Sequence, residues 1–457
     1  MLKLKCLILL FLMILCIAGQ AQAQLVQTVE ISSSPNPVGS GARAMGMGGA
    51  FIGVADDATA ASWNPAGLIQ LETPEVSIVG AYNNRTEDTT YKAFPEASGP
   101  QTTSTYELNY LSAAYPFTAF DKNMIVSLNF QHLYDFTKKV GFGYTFTDTV
   151  GPPLTLKNNI SFDQEGGFKS LSPAFAVQIT PSFSIGLTLN LWDSGVYQNK
   201  WESNYRSNGT GTFVVFPFNV TTQINQKYEM KGMKFDFGDP FNWENANYNL
   251  GFMWNISPKW SLGGVFKAPF EASLQRDYYF ESTLTFPTNP AANSRNVIQR
   301  TETVTLDMPM SYGLGVAFRA NDRLTFDLDV YRTQWDDYVL HDADGNELNP
   351  ITGKLQIDSH VSPTTQVRVG GEYLIIGESV VIPLRAGVFY DPEPAEGSPD
   401  NFYGFSIGSG IAYKNIVYDI AYQYRFGTDV RSTTVGNEDS SQNVKQHMIL
   451  MSVIYHF

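Results

Sequence analysis

The chain has 457 residues, a formal net charge of −14, 14% aromatic residues and only 16% charged residues. A soluble protein of this length would be expected to hold about three domains, yet so few charges and so much tyrosine and glycine argue against that. No apolar stretch after the N-terminus is long enough for a spanning helix, and the acidic balance argues against a nucleic-acid partner.

Residues 1–23 have the pattern of a secretory signal. Lys3 and Lys5 give a positive start, an apolar core follows, and Ala21-Gln22-Ala23 matches the small-x-small cleavage pattern. A lipoprotein signal at Cys16 is the rival, but Leu15 is too bulky for the position before the cysteine. The mature chain is expected to begin near Gln24. Both cysteines, Cys6 and Cys16, lie in the signal, which leaves no disulfide and no thiolate metal site. Cleavage removes two lysines and no acids, taking the formal charge to −16. Acidic outer loops could hold divalent cations near lipopolysaccharide, or simply stay solvated.

Residues 39–68 hold seven glycines, the adjacent acids Asp56 and Asp57, and the pair Asn64-Pro65. The segment does not alternate, so it is not a strand. Asp57 can cap a short helix over 58–62, which must end near Asn64 because proline disfavours helical geometry in its predecessor. Asn64 can cap a second short helix with Pro65 at its first position. The expectation is a compact plug of broken helical turns.

From there alternation takes over. About fourteen strands are expected, near residues 74–84, 105–116, 123–134, 171–179, 183–194, 246–256, 260–272, 303–319, 323–334, 365–374, 380–391, 402–413, 416–427 and 446–457. The connections alternate short and long, as in a transmembrane barrel with short periplasmic turns and long outer loops. An even count puts both ends on the periplasmic side. The last strand carries Ile449, Met451, Val453, Tyr455 and Phe457 on one face. Such a row ending on a terminal aromatic resembles the assembly signal of bacterial outer-membrane barrels, with Tyr455 and Phe457 as its end.

Gly41-Ala42-Arg43-Ala44, Gly49-Ala50, Ala55-Asp56-Asp57-Ala58 and Asn64-Pro65-Ala66 together resemble the hatch of the FadL/TodX (OMPP1) outer-membrane transporters. PorV/PorQ-type proteins of the same superfamily share these elements. The resemblance implies an all-β fold: a transmembrane antiparallel β-barrel of about fourteen strands with an N-terminal helical hatch in the lumen. The expected division is a signal at 1–23, the hatch at 24–73 and the barrel at 74–457. The resemblance further implies transport of hydrophobic compounds such as long-chain fatty acids, with apolar binding in the lumen and release past a hatch. That release could pass sideways into the membrane, although the third strand shows no internal Gly or Pro to mark a break. The alternative is a PorV-like shuttle that binds exported proteins.

Hatch and gating candidates are Arg43, Asp56, Asp57, Asn64, Pro65 and Ala66. Lys267, Arg368, Arg385 and Arg425 have inward parity and could meet a ligand carboxylate. Glu372, Asp327, Asp329 and Asp419 also face inward, so pairing within the lumen is the competing reading. Phe389, Leu450 and Ile454 are the candidate apolar lumen residues. The expected partners are a hydrophobic small molecule, the outer membrane with its lipids and the barrel-assembly machinery, with the protein itself a monomer. No cofactor, metal or enzymatic activity is expected. The five histidines are scattered, with His132 and His447 of outward parity, and no Gly-x-Ser-x-Gly motif occurs. The loop from Asp342 to Glu347 opens like a calcium loop but has Glu347 where Gly is needed and Gly353 where the final Glu belongs.

Overall fold

The computed structural model describes residues 39–148, 154–192, 199–215, 220–237, 246–431 and 440–457. The expected signal and the first part of the hatch lie outside the described residues. The wall is made of β1 (Glu75–Tyr91), β2 (Gly99–Ala119), β3 (Lys122–Asp135), β4 (Leu154–Thr180), β5 (Phe183–Leu191), β6 (Ala246–Ser257) and β7 (Trp260–Lys267). It continues with β8 (Ser311–Asn321), β9 (Leu324–Thr333), β10 (Thr364–Ile376), β11 (Val380–Tyr390), β12 (Phe402–Tyr413), β13 (Ile416–Arg431) and β14 (Ser440–His456). Each pairs antiparallel with the next, and β14 pairs with β1 from Glu75 opposite His456 to Tyr91 opposite Ser440. The result is a closed fourteen-stranded barrel.

Closure pairs the wall from strand to strand around the ring, as a sheet in hydrocarbon requires. Alternation does the rest. Ile78, Leu128, Leu250, Val369, Ile420 and Met451 point outward and are exposed. Ser77, Asn129, Asn249, Arg368 and Ser452 point inward and are buried. The short turns lie at one end, together with the start of β1 and the end of β14. The turn at Phe120-Asp121 has φ of 52° and 55°, a geometry that follows strand twist.

β1, β2, β4, β13 and β14 continue past the expected ends, while β5 and β7 stop short of theirs. The expected strands 260–272 and 303–319 divide at 268–269 and 309–310, and their outer parts join residues expected to be loops in forming the strands Lys138–Asp148, Lys200–Val215, Val220–Phe237, Phe270–Thr285 and Ser294–Met308. These pair with one another and with the upper part of β4, carrying the sheet out beyond the membrane. There the outer face meets water, so Asn204 and Arg206 point out while Trp201 and Tyr205 point in and are buried. Their inner faces build an aromatic core from Phe136, Phe168, Trp192, Trp201, Phe270 and Trp335.

Candidate functional site

Residues 39–71 lie inside the barrel. Ala42, Ala44, Met47, Phe51, Ala55, Ala61, Trp63 and Leu68 are buried in one cluster with Tyr110, Met253, Tyr331 and Leu450 of the wall. The segment folds as three short turns: an α-helix at Ala42–Gly46, another at Ala60–Trp63 and a 3-10 turn at Pro65–Gln70. The second helix starts two residues later than expected, because Asp57 spends its carboxylate on Thr59, accepting from its amide at 2.8 Å and its hydroxyl at 2.6 Å. It ends at Trp63, before Asn64-Pro65. Asn64 caps the next turn by accepting from the Ala66 amide at 3.2 Å. Its amide nitrogen donates to Ile52 O at 3.1 Å and, across to the wall, to Phe252 O at 2.9 Å.

The plug's free backbone groups are met by inward side chains of the wall. Asp329 accepts from the amides of Phe51 at 2.7 Å and Ile52 at 2.9 Å. Ser452 accepts from Ala42 N, while Ser406, Arg368, Tyr110, Thr188, Ser184 and Ser261 donate to the carbonyls of Gly46, Gly48, Ala58, Ala61, Ala66 and Gly53. Where the plug backbone comes nearest, the wall carries glycine. A Cβ on Gly370 or Gly387 would strike Met47, one on Gly263 would strike Ile52, and one on Gly186 would strike Pro65. These contacts had no sequence signal of their own. Inward parity was legible for Asp327 and Asp329, but their partners are plug amides or lie beside them, and an amide has no residue type.

The inward cations form two networks. Arg43 of the plug pairs with Asp56 at 2.6 Å and Glu372 at 2.9 Å. Arg385 pairs with Glu372 and Asp419, each at 2.6 Å. Higher in the lumen, Arg425 meets Asp391 at 3.1 Å and Glu393 at 2.6 Å. Arg85 meets Glu393 at 2.9 Å, and Arg368 meets Asp391 at 3.3 Å. Burial disfavours the charge on Glu393, yet Arg85 and Arg425 outweigh it and hold the carboxyl down at about 2. So Arg368, Arg385 and Arg425 are already engaged with carboxylates. Lys267 sits 5.7 Å from the Tyr331 ring centre, facing a separate cavity. Phe389 lies under the Arg368 guanidinium at 5.0 Å, Leu450 packs on the plug and Ile454 is buried. Tyr455 and Phe457 stand on the outer face with ring centres 4.9 Å apart.

A family model described as outer membrane protein transport protein (OMPP1/FadL/TodX) matches residues 14–456. The chain belongs to that family. It is an outer-membrane transport protein for hydrophobic compounds, a passive channel and not an enzyme. The barrel is similar to a solved Pseudomonas aeruginosa FadL homologue, at 15% identity and a TM-score of 0.54 over 92% of this chain and 98% of that one. It is similar too to the P. putida toluene transporter TodX, at 13% identity and a TM-score of 0.53 over 92% and 99%. Likeness at that identity concerns the fold. No curated protein matches the sequence.

Among the described residues the lumen is filled by the plug and the aromatic core. A cavity of about 20 Å³ lies beneath the aromatic core, lined by Trp192, Phe270, Trp335, Asn190, Asn247 and Lys267. Another of about 70 Å³ lies above the plug, between Met45, Leu450, Arg368 and Arg425 on one side and Glu107 and His132 on the other. Both are far below the roughly 300 Å³ of a small-molecule site.

The second cavity reaches a seam in the wall. β2 and β3 pair up to Tyr110 opposite Gln131 and no further. Asn109 is an extra residue in β2 and Leu133 an extra residue in β3, so both strands bulge where they part. Side chains bridge the gap: Asn109 Nδ2 donates to His132 O at 3.3 Å, and His132 Nδ1 lies 2.6 Å from Glu107 Oε2. Bulges rather than Gly or Pro make the break, which is why the sequence shows none. His132, of outward parity, is turned into this seam. The loop at Asp342 forms a turn in which Asp342 accepts from the amides of Asp344 and Asn346 at 2.9 and 2.8 Å. No cluster with metal-holding geometry occurs among the described residues.

Proposed function

We propose that the protein carries an amphiphilic hydrophobic compound, of the long-chain fatty-acid kind, through the outer membrane under control of its hatch. The carrying observation is the contrast between a packed aromatic core above the plug and lumen cavities, among the described residues, too small to hold a ligand. An apolar compound gathers at the aromatic rings without crossing bulk water, which is where the hydrophobic effect favours it. Descent then requires residues 39–71 to shift. The seam at Glu107, Asn109 and His132 offers release sideways, and the periplasmic mouth offers release downward. Lys267 offers positive charge to a carboxylate head, while Arg368 and Arg425 are already matched to Asp391 and Glu393. One neighbour is described as a toluene transporter, so a bare aromatic ring is the competing cargo.

The test is uptake. Cells stripped of their own transporter of this family, expressing this chain, should take up radiolabelled oleate several-fold faster than cells with empty vector. Solvent extracts of the purified protein should contain an apolar carboxylate by mass spectrometry. Toluene uptake without oleate uptake would overturn the fatty-acid assignment, and no uptake of either would overturn the transport reading of this lumen.

A further inference from the structure

At the periplasmic mouth the plug and wall leave a third, larger cavity, a recess of about 370 Å³. Its floor is plug backbone at Gly53 and Val54, and its sides include Pro181, Pro258 and Ala317. That floor is pinned. Ser261 Oγ donates to Gly53 O at 2.8 Å, and Gln70 Nε2 donates to Val54 O at 2.7 Å. The other side of the same segment hangs on Asp329 through Phe51 and Ile52.

Two cations stand at the rim. Ser261 and Ala317 face the plug; Arg319 lies two residues beyond Ala317 on the same face of its strand, and Lys259, in the turn that precedes Trp260, lines the recess beside it. Their strands are adjacent there, with Arg319 N donating to Lys259 O at 2.8 Å. The residues between them, Trp260 and Phe318, turn outward with ring centres 4.5 Å apart. So the rings face the membrane and the cations face the mouth. Among the described residues no carboxylate lines the recess itself; the nearest, Asp327, lies beneath its floor against the backbone of Gly53 and Val54. Its volume falls within the roughly 300–1,000 Å³ typical of small-molecule sites.

We propose that this recess binds the carboxylate head of an amphiphile leaving the protein, with Lys259 and Arg319 as its charge partners. Arginine offers a planar pair of donors and lysine a mobile point charge, a combination suited to a carboxylate. Val54 and the two prolines take the first part of the chain. Because the floor is plug backbone, an occupied recess touches the hatch directly. The proposal rests on the transport reading above. The phosphate of an inner-leaflet phospholipid is the other source of an anionic head at this depth.

Thr325 lines the recess opposite Arg319, and the chain has cysteines at 6 and 16 alone. Thr325→Cys in the full chain, with Cys6→Ser and Cys16→Ser, gives one reporter thiol. In phosphatidylcholine nanodiscs its modification is timed with an anionic and a cationic methanethiosulfonate. Relative to a free thiol, the anionic reagent should be favoured about threefold or more, since two nearby cations raise its local concentration. Adding Lys259→Ala and Arg319→Ala should return the ratio to that of the free thiol, with heat-modifiability confirming a folded barrel. Dodecanoate should slow modification, and dodecanol should not. An unchanged ratio in the double variant, no protection by dodecanoate, or protection by phosphatidylglycerol alone would overturn the site. If oleate uptake fails while dodecanoate still protects, the transport reading falls and the site stands. If uptake holds without protection, the site alone falls.

Discussion

Leu328 and Asp329 are neighbours on β9 and meet opposite worlds: Leu328 is 46% exposed on the lipid face, and Asp329 is 1% exposed against the plug. A cation at Leu328 would have no partner in hydrocarbon, so Leu328→Arg should cost about 2–4 kcal/mol in a refolding titration in vesicles. A loss near zero would mean that the wall is not seated in lipid at this height. Asp329→Ala acts elsewhere. It strips acceptors from two buried amides, each worth about 1–3 kcal/mol when left unmet. Exchange of the Phe51 and Ile52 amides should therefore quicken while barrel strands stay protected; unaltered exchange would show that the carboxylate does not hold the plug. Glu393, in the outer connection between β11 and β12, gives a pH signature. Its carboxyl is lowered from 4.5 to about 2 in the folded protein, so its stabilisation is present above the unfolded value and is lost as pH falls from about 4.5 through about 2. Proteolysis of residues 391–401 should rise over that window, and Glu393→Gln should remove the dependence. A wild-type profile that stays flat down to pH 2 would contradict the pairing with Arg85 and Arg425. Inward parity for Asp329, Arg368 and Arg425 was readable from alternation, whereas Arg85 and Glu393 fell in stretches expected to be loops. Which inward acid meets which inward base was not, because the pairs join residues such as Arg85 and Glu393 that are far apart in sequence.

Elements were legible where lipid imposes a rule. Within the membrane an outward residue must be apolar, and Phe405, Ile407, Ile411 and Tyr413 announce β12 at once. Above it the rule lapses. Lys200–Val215 is still a strand, but its outward residues meet water, and a strand with polar residues on the open face resembles a loop in sequence. The breaks at Asn109 and Leu133 are illegible for another reason: a bulge requires one extra residue and no particular type. The inward glycines had a visible pattern without a visible purpose. Gly186, Gly263, Gly370, Gly387 and Gly408 are positions where the plug backbone touches the wall, so the wall there is shaped to the plug, while Gly404 and Gly410 make room for Phe389 and Asp419. Gly370→Val would drive a side chain into Met47 O, whereas Gly141→Ala in the outer sheet meets nothing nearer than Ile160 O at 3.7 Å. The first variant should leak small ions in a planar bilayer and expose residues 46–49 to protease, and the second should behave as wild type. Tight closure in Gly370→Val would mean that the plug is not pressed on the wall at this strand.

At the scale of the whole molecule, two structures share one space and are stabilised separately. The barrel is held by strand pairing that closes on itself through β1 and β14, and none of that pairing passes through the plug. The plug is held by burial of its own apolar side chains, by wall side chains on its backbone, and by the ion pair from Arg43 to Glu372. Removing residues 39–71 should therefore leave a barrel that inserts and shows heat-modifiability, because its backbone groups stay paired. What it loses is filling. Inward residues on that half of the lumen, including Asp329, Arg385 and Asp419, would face water, which solvates them more readily than the buried state does. A fourteen-stranded wall is wide enough to leave an aqueous path once unfilled, since lumen width grows with strand number. The deleted protein should then conduct several-fold more than wild type in a planar bilayer, while the double change Asn64→Ala with Pro65→Ala should give brief openings, because it frees one corner from Phe252 O and leaves the Asp329 clamp in place. If the deleted protein inserts and conducts no more than wild type, the outer aromatic core of Trp192, Trp201, Phe270 and Trp335 is the barrier instead, and the gate lies above the lumen rather than in the hatch.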